Sequence, residues 1–382
     1  MSALGTAIAA ALSTAVWSST AVGQNVTERV LDEDGRPQVV KQQWSHVGLL
    51  RARDLSAFGL LRLDMLPAHT ADAEVGAWTF GAQYSYQNTF ILSDNVRGHL
   101  QARNVGERTP LTSQDAAAIL ALPDDAYFVD AEIGLADLIV QHRVSRYWSF
   151  YITIPYINYG EGALDGVVEH VHDAIGVSQQ GRDLVARDRF AIVYRIGEAR
   201  FAELDPAVRG FGDPVAGVRY SFPEPRFGWD VVAELAVKVP TDGRRFLLST
   251  GKQDVGGQLT LQRRLGPTGR QAMYLAGSLV RYAGAGDAPE NESQTIPTLI
   301  AGYSFGLTPR TSVILQGYAS RSVVQHSTAD ELTDNKYQLS LGVQSRGENM
   351  LWSCAFTENI VNFNNTPDIA LQVGVAYMPK AK

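Results

Sequence analysis

The stretch Trp78-Thr79-Phe80-Gly81-Ala82-Gln83-Tyr84-Ser85-Tyr86-Gln87 alternates bulky apolar residues with small polar ones, which is the period of a strand with two unlike faces. Trp148, Phe150, Ile152, Ile154 and Tyr156 repeat the pattern against Ser149, Tyr151 and Thr153. Val231, Ala233, Leu235, Val237 and Val239 do so after Trp229, against Asp230, Glu234 and Lys238. Read outward from these, the chain predicts twelve strands near 76–93, 126–142, 145–159, 209–223, 228–240, 250–266, 270–284, 294–306, 309–324, 334–346, 348–360 and 367–379. Their connections alternate short and long, the long ones falling at 94–125, 160–208, 241–249, 285–293, 325–333 and 361–366. Long strands of even number, with short turns on one rim and long loops on the other, predict an all-β, transmembrane, antiparallel barrel of the outer-membrane type. Trp78, Trp148, Trp229, Tyr303, Phe305 and Tyr377 near strand ends fit its aromatic girdles.

Composition narrows the alternatives. At 382 residues, 45% hydrophobic and 19% charged, with a mean hydropathy of -0.09, the chain can bury a large core but is too polar for a bundle of membrane helices. A net charge of -7 argues against nucleic acid as a partner, since a phosphate backbone needs a basic face. Small and apolar residues from Ala7 to Trp17, then Ala21-Val22-Gly23 before Gln24, read as a signal peptide over 1–23, although no Lys or Arg precedes Arg29. Residues 24–75 carry Leu49, Leu50, Leu55, Phe58, Leu60, Leu61 and Met65, too apolar for a solvated tail, and are expected to form a plug-like or periplasmic segment before the barrel at 76–382. Cys354 stands alone, so no intrachain disulfide is expected.

Arg53-Asp54-Leu55-Ser56 with Phe58-Gly59-Leu60, Leu164-Asp165-Gly166 with His172-Asp173-Ala174-Ile175-Gly176, Gly181-Arg182, Arg187-Asp188, and Gly210-Phe211-Gly212-Asp213-Pro214 form a recognisable series. It continues through Lys238-Val239-Pro240-Thr241, Ser249-Thr250-Gly251-Lys252-Gln253-Asp254 and Phe356-Thr357-Glu358-Asn359. Over most of the mature chain it resembles an uncharacterised bacterial envelope family, the domain of unknown function numbered 3187. The resemblance implies a barrel and supplies no activity. The stretches 210–220, 238–243 and 250–256 also resemble outer-membrane channels associated with uptake of phenolic and other poorly soluble compounds.

With the apolar faces toward lipid, Asp130, Glu132, Arg219, Glu234, Lys238, Asp254, Gln258, Arg264, Lys336 and Gln338 are expected to line the lumen. In the 160–208 loop, Leu164, Val168, Val171 and Ile175 recur at helical spacing and predict a short helix ending at Gly176. With His172, Asp173, Arg182 and Arg187 this loop is expected to form a lid over the external mouth. The leading functional expectation is passive passage of a small or poorly soluble solute, with a structural envelope barrel as the alternative. A hydrolase is the least favoured: its candidates, His326-Ser327 and the cluster Glu169, His172 and Asp173, sit in polar loops, and no Gly-x-Ser-x-Gly elbow occurs. No cofactor or metal is expected. The expected partners are outer-membrane lipid, the barrel-assembly machinery that would read the strand ending at Tyr377, and a small-molecule solute.

Overall fold

In a computed structural model, the described residues are 28–31, 37–40, 44–67, 74–103, 107–176, 178–206, 208–241, 247–284, 293–361, 366 and 369–379. The expected signal peptide lies outside them. A small hairpin, β1 (Glu28–Leu31) with β2 (Pro37–Val40), precedes the main body. The wall then consists of β3 (Trp78–Leu92), β4 (Ala126–Arg143), β5 (Trp148–Gly160), β9 (Val215–Ser221), β10 (Asp230–Lys238), β11 (Asp254–Leu265), β12 (Gln271–Tyr282), β13 (Gln294–Thr308), β14 (Thr311–Ser320), β15 (Lys336–Arg346), β16 (Met350–Val361) and β17 (Ile369–Tyr377). Each pairs antiparallel with its neighbour in this order, and β17 returns to β3, with Tyr377 opposite Phe80 and Ile369 opposite Asn88. Closure leaves no open edge in the wall, the condition for a sheet in hydrocarbon, where an unpaired amide has no water to bond. The chain is a closed, twelve-stranded antiparallel β-barrel.

Side chains follow the period-two reading. Leu235, Leu279, Trp352, Leu341, Phe80 and Ile152 are half or more exposed on the outer face, a belt that water would not tolerate but lipid would. Cys354 shares that outer parity with Trp352 and Phe356 and is exposed. No helix among the described residues is long and apolar enough to cross a membrane. One expected strand, 209–223, is divided: β8 (Arg209–Phe211) pairs with the end of β5, and the ladder resumes at β9. The interruption is Gly212-Asp213-Pro214, where proline has no N–H for a ladder and Asp213 accepts hydrogen bonds from Thr241 N at 3.0 Å and Ser249 Oγ at 2.6 Å.

Several long connections have structure that periodicity did not show. α1 (Asp94–Arg103) and α2 (Ser113–Leu120) fill the first, α2 opened by a capping box between Thr112 and Asp115. α3 (Asp165–Ile175) occupies the expected place and ends on Gly176 at φ 72°, a left-handed position that glycine takes without a Cβ penalty. Behind it β6 (Ala191–Ile196) and β7 (Ala199–Glu203) form a hairpin that pairs with the start of β4, so the sheet continues beyond the barrel on the long-loop rim. α4 (Asp330–Thr333) is a single turn.

Candidate functional site

Residues 44–67 run inside the barrel. Near the short-turn rim Ser45 N donates to Pro309 O at 2.9 Å, and His46 bonds Ser304 Oγ at 3.1 Å and Gly269 O at 2.8 Å. The segment then climbs, its backbone carbonyls taken by inward glutamines: Gln344 donates to Leu49 O, Gln83 to Arg51 O and Gln87 to Leu55 O. It turns at 56–62, where Gly59 N and Leu60 N both donate to Ser56 O, and descends past Leu63 and Met65 until Gln258 donates to Leu66 O at 3.1 Å. Side-chain amides serve here because they meet a non-repetitive backbone that has no sheet ladder to satisfy it.

The wall is notched to receive the segment. A Cβ at Gly256 would stand 2.9 Å from Val280, 3.0 Å from Met65 and 3.2 Å from Leu63. At Gly342 it would meet Cys354 O at 2.7 Å and Leu50 at 2.9 Å, and at Gly302 and Gly306 it would intrude on Leu49 and Trp44. A second constraint is ionic. Arg62, 2% exposed, lies 3.5 Å from Asp54 and 3.3 Å from Asp64 and donates to Tyr318 Oη at 2.5 Å. Lys336 reaches from β15 to Asp54 at 3.0 Å and also donates to Ser56. Lys238 lies 2.9 Å from Asp254 and 3.7 Å from Asp213, and donates to Thr250 Oγ1 at 2.6 Å and Leu61 O at 2.8 Å. Buried charges of this kind are tolerable only when paired and hydrogen-bonded.

Among the residues expected to line the lumen, Arg219, Glu234, Lys238, Asp254, Gln258, Lys336 and Gln338 are inward and buried. Arg219 Nε donates to Glu234 at 2.5 Å, and Tyr151 Oη to the same carboxylate at 2.6 Å. Gln338 faces Tyr318 across the β14–β15 ladder. Arg264 has the inward parity but stands exposed near the short-turn rim. Asp130 and Glu132 are not in the lumen. Register pairs them with Phe90 and Asn88, on the parity of Trp78, Phe80 and Tyr84, so they face outward. They are buried because the connection after β5 covers that part of the wall.

The same geometry corrects the expected lid. α3 and the 3-10 turn Arg182–Leu184 are tied to the outward-facing residues Asn88, Phe90 and Glu132 of β3 and β4, not laid across the mouth. Glu132 accepts from Ala163 N and Leu164 N, Asp165 accepts from Asn88 at 3.0 Å, and Arg182 donates to Asp165 at 2.7 Å and Asn88 at 2.6 Å while lying 4.7 Å over the Phe90 ring. Val168 and His172 are buried, and Asp173 accepts from Gln179 at 2.6 Å. Glu169 binds Arg108 at 2.7 Å and Arg187 through Nε at 3.0 Å. Burial raises the Glu169 pKa, but those hydrogen bonds outweigh it and hold the carboxyl down at about 2. The side chains of Val171 and Ile175 lie outside the described residues. The apolar pattern of α3 was legible, but sequence order could not say which surface it meets.

What fills the mouth is an apolar cluster joining Leu55, Phe58 and Leu60 of the inner segment to Tyr127 and Ile133 of β4, Tyr194 of β6, Leu248, and Val323, Val324 and Leu332 of the loop before β15. Phe58 meets Tyr127 and Tyr194 edge-on, at centroid distances of 6.3 and 5.6 Å. Of the hydrolase candidates, Ser327 Oγ donates to Asp125 at 2.8 Å, and Glu169 is committed to its arginines. Among the described residues no group of three or more His, Cys, Asp or Glu is placed to hold a metal ion.

A closed barrel with an apolar outer belt and a segment folded through its lumen defines a protein of the outer-membrane β-barrel fold. A solved structure, the COG4313 outer membrane channel from Pseudomonas putida F1, superposes with a TM-score of 0.50 at 10% identity, covering 82% of this chain and 99% of that one. The NanC porin gives 0.40 at 6% identity, covering 79% and 99%. The likeness to the first is one of fold. No curated protein matches the chain. Residues 61–378 match the family described as Protein of unknown function (DUF3187), and the chain belongs to that family.

Proposed function

We propose that this chain is an outer-membrane channel for a small, poorly soluble solute, closed in the present conformation by residues 44–67 acting as a plug. The observation that carries the reading is the way the wall accommodates that segment. A small barrel fills its interior with its own side chains; this one places glycines at 256, 302, 306 and 342 against side chains of the segment and offers glutamines to its backbone. An interior shaped around a separate stretch of chain suits an element that can shift, whereas a purely structural barrel needs none. The apolar cluster at the long-loop rim, read as the external side, supports a solute of apolar character, since it would receive one without leaving buried polar groups unpaired. Flux through planar bilayers or liposomes tests the reading. Deleting 44–67 from a barrel that still changes electrophoretic mobility on boiling should open a steady conductance well above that of the full chain. Equal, negligible flux in both would favour the structural barrel, and hydrolysis of a lipid ester dependent on Ser327 would favour the enzyme.

A further inference from the structure

Outside the lumen, the covered part of the wall holds a cavity of about 160 Å³, lined by Leu111, Phe128 and Phe190, with Asp130 in its wall and Glu161 and Arg189 at its exposed side. Asp130 is 3% exposed, and among the described residues its carboxylate meets no hydrogen-bond donor and stands in no ion pair. Buried carboxylates are ordinarily satisfied, and its neighbours are. Glu132 takes the Ala163 and Leu164 amides, Asp165 takes Arg182 and Asn88, and Arg182 donates to both Asp165 and Asn88. The carboxylates of Asp165, Glu132 and Asp188 and the guanidinium of Arg182 all act on Asp130, and Arg189 stands at the exposed side of the same cavity. The acids are not gathered as metal ligands. Leu111, Phe128, Val185, Phe190 and Leu204 supply carbon surface for an organic body, beside polar groups that make up the larger share of the accessible wall. A cavity of about this size accepts a benzene ring.

We propose that this pocket is a binding site for a small protonated amine with an apolar body, its ammonium donating to Asp130 and its body resting on Phe128, Phe190 and Leu111. The site lies on the outer face of the wall and is independent of the channel reading. Arg189 is the internal rival: its guanidinium could swing onto Asp130, and the amine must displace it.

The probe is 4-fluorobenzylammonium, followed by fluorine NMR on the full chain in detergent with empty micelles subtracted, beside 4-fluorobenzyl alcohol as the neutral body of the same shape. The amine should bind at least tenfold more tightly than the alcohol, the value of one charge-assisted hydrogen bond, and Asp130→Asn should abolish that preference. Arg189→Ala should keep or strengthen amine binding. Equal affinity for amine and alcohol, a preference that survives Asp130→Asn, loss of binding in Arg189→Ala, or no binding of either probe would each overturn the site. Should Asp130→Asn not fold, Leu111→Trp fills the pocket from its rim without touching the charge. Amine binding must then be lost, and its persistence would place the amine elsewhere.

Discussion

Replacing Arg62 by Met tests whether the inner segment is held as a unit by its buried ionic network. The guanidinium lies between Asp54 and Asp64 and donates to Leu63 O at 3.2 Å and Tyr318 Oη. Methionine keeps most of the apolar stem but leaves both carboxylates without this partner. Removing one member of a buried charge set costs about 3–5 kcal/mol. The lower end applies here, because Asp54 keeps Lys336 at 3.0 Å and Asp64 still accepts from Asp54 N at 2.6 Å. At about 3 kcal/mol the docked-to-released equilibrium falls on the order of a hundredfold. Native-state amide exchange reads this directly, since opening of the segment need not unfold the barrel. Asp54 N, Leu60 N and Leu63 N, bonded to Asp64, Ser56 and Asp254, should lose about two orders of magnitude of protection. Amides of β12 should not change, and single-channel openings should become more frequent. Adding Asp64→Asn to Arg62→Met should recover part of the protection by removing the orphaned charge while Asp54 stays paired with Lys336. Unchanged exchange at 54–63 in a well-folded Arg62→Met barrel would refute the reasoning and assign the hold to apolar packing.

Deleting 163–176 should leave conductance unchanged, because α3 covers the outer wall and not the mouth; increased flux would restore it as a lid. Lowering the pH from about 4.5 toward 2 should protonate Glu169 and loosen α3 from Arg108 and Arg187: a carboxyl held low when folded contributes stability above its ordinary value and loses it as pH falls toward the folded one. Protease sensitivity within 161–190 should rise over that window, and a flat profile would mean that the two arginines do not hold the helix. Gly342→Ala should destabilise the barrel more than Gly302→Ala, since its Cβ meets the carbonyl of Cys354 on the next strand while that of Gly302 meets chiefly the movable end of Leu49; thermal midpoints in the reverse order would contradict this. Cys354, on the outer belt, should resist a membrane-impermeant thiol reagent in intact membranes while a lipid-soluble one labels it.

Strand positions, the alternation of turns and loops, and the outer belt were legible because a strand that parts lipid from lumen must write its two faces into the sequence at period two. Arg219, Glu234, Lys238 and Lys336 could be placed inside by parity alone. Asp130 and Glu132 could not, though their strand was found. On β4 the residues toward the long-loop rim are apolar on the inner face and covered on the outer one, so polarity no longer marks the lumen, and only the register with Asn88 and Phe90 fixes the side. The helical period of α3 was likewise visible, but periodicity names a face and not the surface that receives it. Asp54, Arg62, Asp64 and Tyr318 were passed over as site residues because their partners lie as far as 282 positions away, and no local pattern encodes such a meeting. The sequence by itself determined a two-faced wall and an apolar segment ahead of it. Tertiary structure alone decided how that segment threads the lumen and which carboxylates face it, because both depend on contacts between residues that only closure of the sheet brings together.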